Sequence, residues 1–197
     1  MNVTLAVGIG DMTSATVTTA GLVLGMGLFA AEHLTWWRGG GGAAAAGGAP
    51  GSKAKDPKEL LPFWSGITSG TLMVGCPAGI LGYLAGFLRW GGNGLGGLIQ
   101  NWTTGTTAPS IATAAAPRID GYGAVVVTVA VIVLWCMRKK FPKPNKSRFK
   151  KGVFVGVLLA LGTGLFAVIG DLVIPGANSL GEWALSSIIT LDLGKLV

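Results

Sequence analysis

A short, strongly basic segment between two long apolar runs constrains the fold more than any other feature of the chain. Residues 138–151 read RKKFPKPNKSRFKK and contain eight basic residues and no acid. Residues 121–137 and 152–175 are apolar, and each run is close to the length that a helix needs to cross about 30 Å of hydrocarbon. Because cytoplasmic loops of membrane proteins retain Lys and Arg, the pattern predicts two membrane helices joined by a cytoplasmic loop.

The composition also indicates an integral membrane protein. Half of the 197 residues are hydrophobic and only 12% are charged, whereas a soluble domain usually carries about 25% charged residues. The N-terminus has no basic residue before its apolar residues, so we do not expect a cleaved signal peptide. Cys76 and Cys136 both lie in or beside apolar segments and do not suggest a structural disulfide.

Counting outward from the basic segment predicts an all-α integral membrane protein with about four transmembrane helices. The predicted spans are residues 15–37, 60–88, 121–137 and 152–175. The predicted connections are an external N-terminus at 1–14, a flexible cytoplasmic Gly/Ala/Lys linker at 38–59, an external loop at 89–120 with a short interfacial helix around 95–102, and the basic cytoplasmic loop at 138–151. Apolar residues at helical spacing predict an external amphipathic helix at 176–197.

The distribution of basic residues agrees with this topology. Twelve Lys and Arg fall in the predicted cytoplasmic segments, and three, Arg89, Arg118 and Lys195, fall in the external ones. We therefore expect a multi-pass protein of the plasma membrane with both termini outside the cell.

Pro77 interrupts the second predicted span. Proline removes a backbone donor and kinks or breaks a helix. Two interpretations stay open, a single kinked span and a broken or re-entrant helix that lines a cavity, because irregular backbone at membrane depth is tolerated only against protein or water.

Glycine is abundant, with 34 residues spread through apolar segments and loops. Small residues four positions apart let membrane helices approach closely. Such pairs are Gly21 and Gly25, Gly66 and Gly70, Gly75 and Gly79, Gly82 and Gly86, and Gly152 and Gly156. Their accumulation predicts close helix packing and a homo-oligomer.

The basic side chains are more numerous than topology alone requires. They are Arg138, Lys139, Lys140, Lys143, Lys146, Arg148, Lys150 and Lys151. Three interpretations stay open: these residues only set the topology, they contact anionic lipid headgroups, or they contact nucleic-acid phosphates.

Glu32 and His33 are adjacent titratable residues near the end of the first span. Charged groups within membranes are functional candidates, so an ion or proton role competes with an interfacial polar cluster that includes Arg38. A single histidine and two separated cysteines do not match a zinc site, and there is no P-loop. We therefore predict a protein that is not an enzyme and has no cofactor or metal.

The Gly/Ala linker, the four spans and the basic cytoplasmic loop resemble the spread proteins that are encoded beside conjugative DNA translocases in mycelial actinomycetes. The resemblance extends over most of the chain and is one of architecture and composition. It implies an oligomeric membrane protein that assists intercellular plasmid DNA transfer, with DNA or a translocase ATPase at the cytoplasmic loop.

Three functions are compatible with the sequence. The first is a channel, a pore or another membrane component of a DNA-transfer or secretion apparatus. The second is a phage-type holin or another small protein that permeabilises membranes, and the third is a structural membrane scaffold without a conduit.

Overall fold

The computed structural model describes residues 16–38, 57–76, 79–113, 118–137, 142–160 and 167–189. This part of the chain is mainly helical, with one pair of short strands. The elements are β1 (Thr16–Thr18), α1 (Thr19–Trp37), a 3₁₀ turn (Pro57–Leu60), α2 (Leu61–Gly75), α3 (Gly79–Thr104), β2 (Ser110–Thr113), α4 (Gly121–Met137), α5 (Lys143–Leu159) and α6 (Ala167–Ile189). The predicted helical fold class is confirmed at this level.

The first helix begins later than predicted, because residues 16–18 are extended. β1 pairs antiparallel with β2, and Asn93 of α3 holds it, since its side-chain Nδ2 donates to the Thr16 carbonyl at 2.8 Å. The hydroxyl of Thr18 accepts from the Gly21 N–H at 3.0 Å and so caps the first turn of α1.

The second predicted span is divided into two helices. α2 ends at Gly75, after which Cys76 is extended, and α3 begins at Gly79 with a φ of +83°, a conformation that glycine adopts readily. Pro77 itself lies outside the described residues, between the two helices. The interruption therefore occurs where the proline predicted it.

The external loop predicted at 89–120 is corrected, because residues 89–104 continue α3 and the short helix predicted around 95–102 is part of this longer one. α3 continues to Thr104 because several of its glycines contact neighbouring helices. A Cβ at Gly92 would meet the side chain of Leu158, and one at Gly96 would meet the backbone of Ala20. Tertiary packing thus outweighs the low helix propensity of glycine.

The predicted basic loop is also corrected, because residues 143–151 form the first half of α5. Pro142 is the N-cap residue and Pro144 lies in the first turn, where proline needs no hydrogen-bond partner for its nitrogen. Only α4, with the bounds Gly121–Met137, matches the limits of a predicted span.

The fourth predicted span, 152–175, is not one helix among the described residues. α5 ends at Leu159, and α6 runs from Ala167 through Pro175 to Ile189, so α6 includes much of the predicted tail. Gly162 and Gly164, both poor helix formers, lie between the two helices and outside the described residues. The predicted N-terminal segment at 1–14 and residues 39–56 of the predicted linker also lie outside them.

The closest helix contact joins α2 and α5, at two of the predicted glycine pairs. Gly66 and Gly70 of α2 face Gly152 and Gly156 of α5, so that a Cβ on Gly152 would lie 3.0 Å from the Cα of Gly66. Such a distance is shorter than real Cβ contacts tolerate easily, so these positions require glycine. Buried side chains of both helices and of α1 fill the space beside this contact: Phe63, Ile67, Val155 and Leu159, with Leu22, Leu28 and Phe29 packed against them.

The other predicted glycine pairs have different surroundings. Gly21 and Gly25 place α1 against α3 and α5, since a Cβ on Gly25 would lie 3.1 Å from the Cβ of Leu158. Gly75 and Gly86 are buried and Gly82 is half-buried. Gly79 has no described atom of another element within 4 Å, so its backbone conformation, rather than helix packing, explains glycine there.

Among the described helices, none alone combines the length and the apolar composition needed to cross a membrane. The segments Pro57–Gly75 and Gly79–Thr104 meet these criteria together, as a pair bent by 109°.

We expect Gly152→Ala to lower the free energy of unfolding by about 2 kcal/mol, because the added methyl group must separate α5 from the α2 backbone. Gly27→Ala is the matched control, since Gly27 has no described neighbour within 4 Å and alanine favours a helix by up to about 1 kcal/mol. Thermal unfolding in detergent followed by circular dichroism compares the two variants. Equal effects would contradict the contact between α2 and α5.

Candidate functional site

Glu32 of α1 is the centre of a partly buried cluster of ion pairs. Its side chain is buried at 8% exposure. Arg148 Nε lies 3.2 Å from one carboxylate oxygen, and Lys151 Nζ lies 3.2 Å from the other. The Arg148 guanidinium also donates to the backbone carbonyl of Glu59 at 2.7 Å and lies 3.6 Å from the Glu59 carboxylate. We call Glu32, Glu59, Arg148 and Lys151 the ion-pair cluster.

The ion-pair cluster connects three segments that are distant in sequence. Arg148 and Lys151 are three residues apart on α5, a spacing that places both on one side of the helix, facing Glu32. The two acids balance the two bases, and a buried carboxylate needs such partners to offset its lost hydration. The cluster therefore fixes the end of α1 and the start of α2 against α5.

The sequence also predicted a polar cluster of Glu32 with Arg38. Glu32 does lie in a polar cluster, but Arg38 is not the cation that pairs with it. Arg38 is exposed, and its backbone N–H donates to the Leu34 carbonyl at 2.9 Å at the end of α1. The cations next to Glu32 come from the basic segment instead.

His33 makes its contacts in an aromatic cluster and not with the ion pairs. Its Nδ1 lies 2.8 Å from the Phe29 carbonyl, and its ring centroid lies 4.2 Å from that of Phe29, 5.8 Å from that of Phe63 and 5.6 Å from that of Trp64. Edge-to-face ring pairs of this kind contribute about 1 kcal/mol each beyond burial. The ring of His33 thus packs α1 against α2.

Three lysines of α5 form a second surface, which we call the lysine face: Lys143, Lys146 and Lys150. Their spacing of three and four residues places them on one side of the helix. Lys143 and Lys150 are exposed and Lys146 is half-buried. Within the described ranges, the ion pairs of α5 are made by Arg148 and Lys151, and none involves the lysine face. Arg138, Lys139 and Lys140 lie outside the described residues.

Sequence reasoning missed two residues, one in the ion-pair cluster and one that contacts α5 farther along the helix. Arg89, expected in an external loop, is only 3% exposed, and its Nη2 donates to the Val157 carbonyl at 3.2 Å. Glu59 was not singled out. A signal was available for Glu59, because the predicted topology places Glu32, Glu59 and the basic segment at the same membrane surface.

Comparison of the chain with protein-family models, with curated proteins and with solved structures finds no match. Within the described ranges, no group of three or more His, Cys, Asp or Glu side chains is placed to hold a metal ion. The features of the structure that bear on function are therefore the ion-pair cluster, the lysine face and the helix exteriors.

We expect Glu32→Gln to destabilise the protein by about 2 kcal/mol, because Arg148 would stay largely buried without a carboxylate beside its Nε. Glu59→Gln should cost less, since Glu59 is exposed and exposed pairs contribute little. Glu182→Gln, at an exposed position of α6, is the matched control and should be neutral. The three melting temperatures in detergent provide the test, and an equal loss for Glu32→Gln and Glu182→Gln would contradict the role of the cluster.

Proposed function

We propose that this chain is an oligomeric, multi-pass protein of the plasma membrane and a channel or pore component of a DNA-transfer or secretion apparatus. The observation that carries the membrane assignment is the apolar exterior of the helices. Val23, Ile80 and Leu172, on three different helices, are 66%, 80% and 74% exposed. Extended apolar surface marks a site of interaction with protein or membrane, and hydrocarbon would cover these faces.

α4 illustrates this exterior best. Val125, Val129, Val131, Ile132 and Val133 are all exposed large apolar residues. A helix that presents β-branched apolar side chains in this way is typical of a lipid-facing segment. This surface supports the proposal that 121–137 is one of four membrane segments.

The directions of the helices support the proposed topology. Gly152 faces Phe63 and Gly156 faces Ile67, so α2 and α5 run parallel. Glu32 pairs with Lys151 and Gly25 faces Leu158, so α1 runs antiparallel to α5. These directions are the ones that the first, second and fourth predicted spans require.

The charged side chains are concentrated at the end of the helices that the proposed topology places at the cytoplasmic surface. The ion-pair cluster and the lysine face both lie where α1 ends and where α2 and α5 begin. Retention of Lys and Arg in the cytoplasm would orient this end of the protein inward.

The bend between α2 and α3 favours the broken-span interpretation of the second segment over a single kinked helix. Broken helices at membrane depth occur where they face protein or a water-filled cavity. This favours a conduit over a scaffold. The resemblance to plasmid spread proteins supports DNA transfer as the proposed role of such a conduit.

A homo-oligomer is supported by open glycines on α3. A Cβ added at Gly91, Gly94 or Gly97 would have no described neighbour within 4 Å. At the glycines between α2 and α5, by contrast, the space beside each Cα is occupied by the other helix. Small residues let membrane helices of different subunits approach closely.

Cysteine labelling tests the topology. In a Cys76→Ser, Cys136→Ser background, Lys150→Cys should react with a membrane-impermeant maleimide only after permeabilisation, while Thr107→Cys should react in intact cells. Both positions are exposed, so accessibility depends on the side of the membrane. Labelling of Lys150→Cys from outside, or extraction of the chain by alkaline carbonate, would overturn the assignment.

Bilayer recordings test the conduit. The purified, crosslinked oligomer should give discrete conductance in planar bilayers, because a broken second segment lines a water-filled path. An oligomer without conductance would exclude the pore and leave a scaffold. Loss of membrane potential and lysis on timed expression would instead favour a holin.

A further inference from the structure

We propose that the lysine face of α5 binds the phosphate groups of anionic lipids in the cytoplasmic leaflet. The inference rests on the proposed membrane location and adds the partner of this surface.

The lysine face is separate from the ion pairs of the same helix. At about 100° per residue, Lys143, Lys146 and Lys150 fall within an arc of roughly 60°, and Arg148 and Lys151 lie outside that arc. Arg148 and Lys151 contact the acids of the ion-pair cluster, and no described acid lies within ion-pair distance of the three lysines. One side of α5 is thus neutralised within the protein and the other presents three positive charges.

Exposed tryptophans lie at the same end of the molecule. Trp37 is at the end of α1, five residues after Glu32, and Trp64 is in α2, five residues after Glu59. They are 61% and 40% exposed. Tryptophan is enriched at membrane–water interfaces, where its ring lies at the depth of the headgroups. The ion-pair cluster holds both helix ends beside the start of α5, so the lysine face is at or near that depth.

This combination fits a lipid phosphate better than a nucleic acid. Lysines near an anionic membrane surface each contribute about 1 kcal/mol to binding, and their stems can lie along apolar surface while the ammonium groups stay in water. The ion-pair cluster also fixes the rotation of α5 about its axis. The lysine face therefore loses little additional conformational entropy when it binds the bilayer. A nucleic acid would require the same charges to point away from the apolar exterior.

The test uses the full chain in phosphatidylcholine vesicles with trace spin-labelled phosphatidylglycerol or spin-labelled phosphatidylcholine. Electron spin resonance measures the lipid immobilised on the protein. We expect wild type to prefer phosphatidylglycerol by about fivefold, the equivalent of one lysine at an anionic surface, and to lose the preference at about 1 M salt. The variant Lys143→Gln, Lys146→Gln, Lys150→Gln should bind the two lipids about equally.

Two control variants separate charge from folding. The triple replacement of the same lysines by arginine should keep the preference, and so should Arg118→Gln, an exposed position outside the lysine face. Equal binding of both lipids by wild type, or an unchanged preference in the glutamine variant, would overturn the proposal.

A second measurement, binding of a short DNA duplex, distinguishes lipid phosphates from nucleic-acid phosphates as the partner of the lysine face. If the glutamine variant loses binding of a short DNA duplex while its lipid preference is unchanged, the lysine face is a nucleic-acid surface and the lipid proposal is wrong. If no variant immobilises either lipid, the chain is not embedded in the bilayer and the proposed function fails as well.

Discussion

The contact between α2 and α5 is the constraint on which the rest of the structure depends. Gly66, Gly70, Gly152 and Gly156 remove four side chains from one interface, and the backbones approach to the distance at which a Cβ would meet a carbonyl. Close approach strengthens dispersion contacts along both helices. In the proposed membrane location, where burial of apolar side chains provides no driving force, such packing would be a main source of helix association.

The position of the ion-pair cluster follows from this contact. Arg148 is one helical turn before Gly152, and Glu59 is seven residues before Gly66. Because α2 and α5 run parallel, the glycine contact sets their register and brings Arg148 to the 3₁₀ turn, where it bonds the Glu59 carbonyl. α1 then crosses antiparallel and places Glu32 between Arg148 and Lys151. The geometry of backbone packing thus determines which charges can meet.

Sequence reasoning located features that depend on local pattern. The apolar segment that forms α4, the interruption near Pro77 and the glycine pairs of α2 and α5 all arise from residues close in the chain. Predictions of features that depend on residues distant in the chain were wrong, or were not made. Residues 89–120 were expected in an external loop with only a short helix around 95–102, yet Gly92 and Gly96 pack against Leu158 and Ala20 and α3 continues unbroken to Thr104.

The basic segment shows why charge counts alone leave its role open. The rule of cytoplasmic retention treats all eight bases alike, since it counts residues and ignores their directions. The helix separates the five described bases: Arg148 and Lys151 pair with the buried Glu32, and Arg148 also lies beside the exposed Glu59. Lys143, Lys146 and Lys150 form the lysine face. Among the described bases, the ion pairs within the protein are made by the first set, so the effect of removing charge from α5 depends on which of its sides is changed.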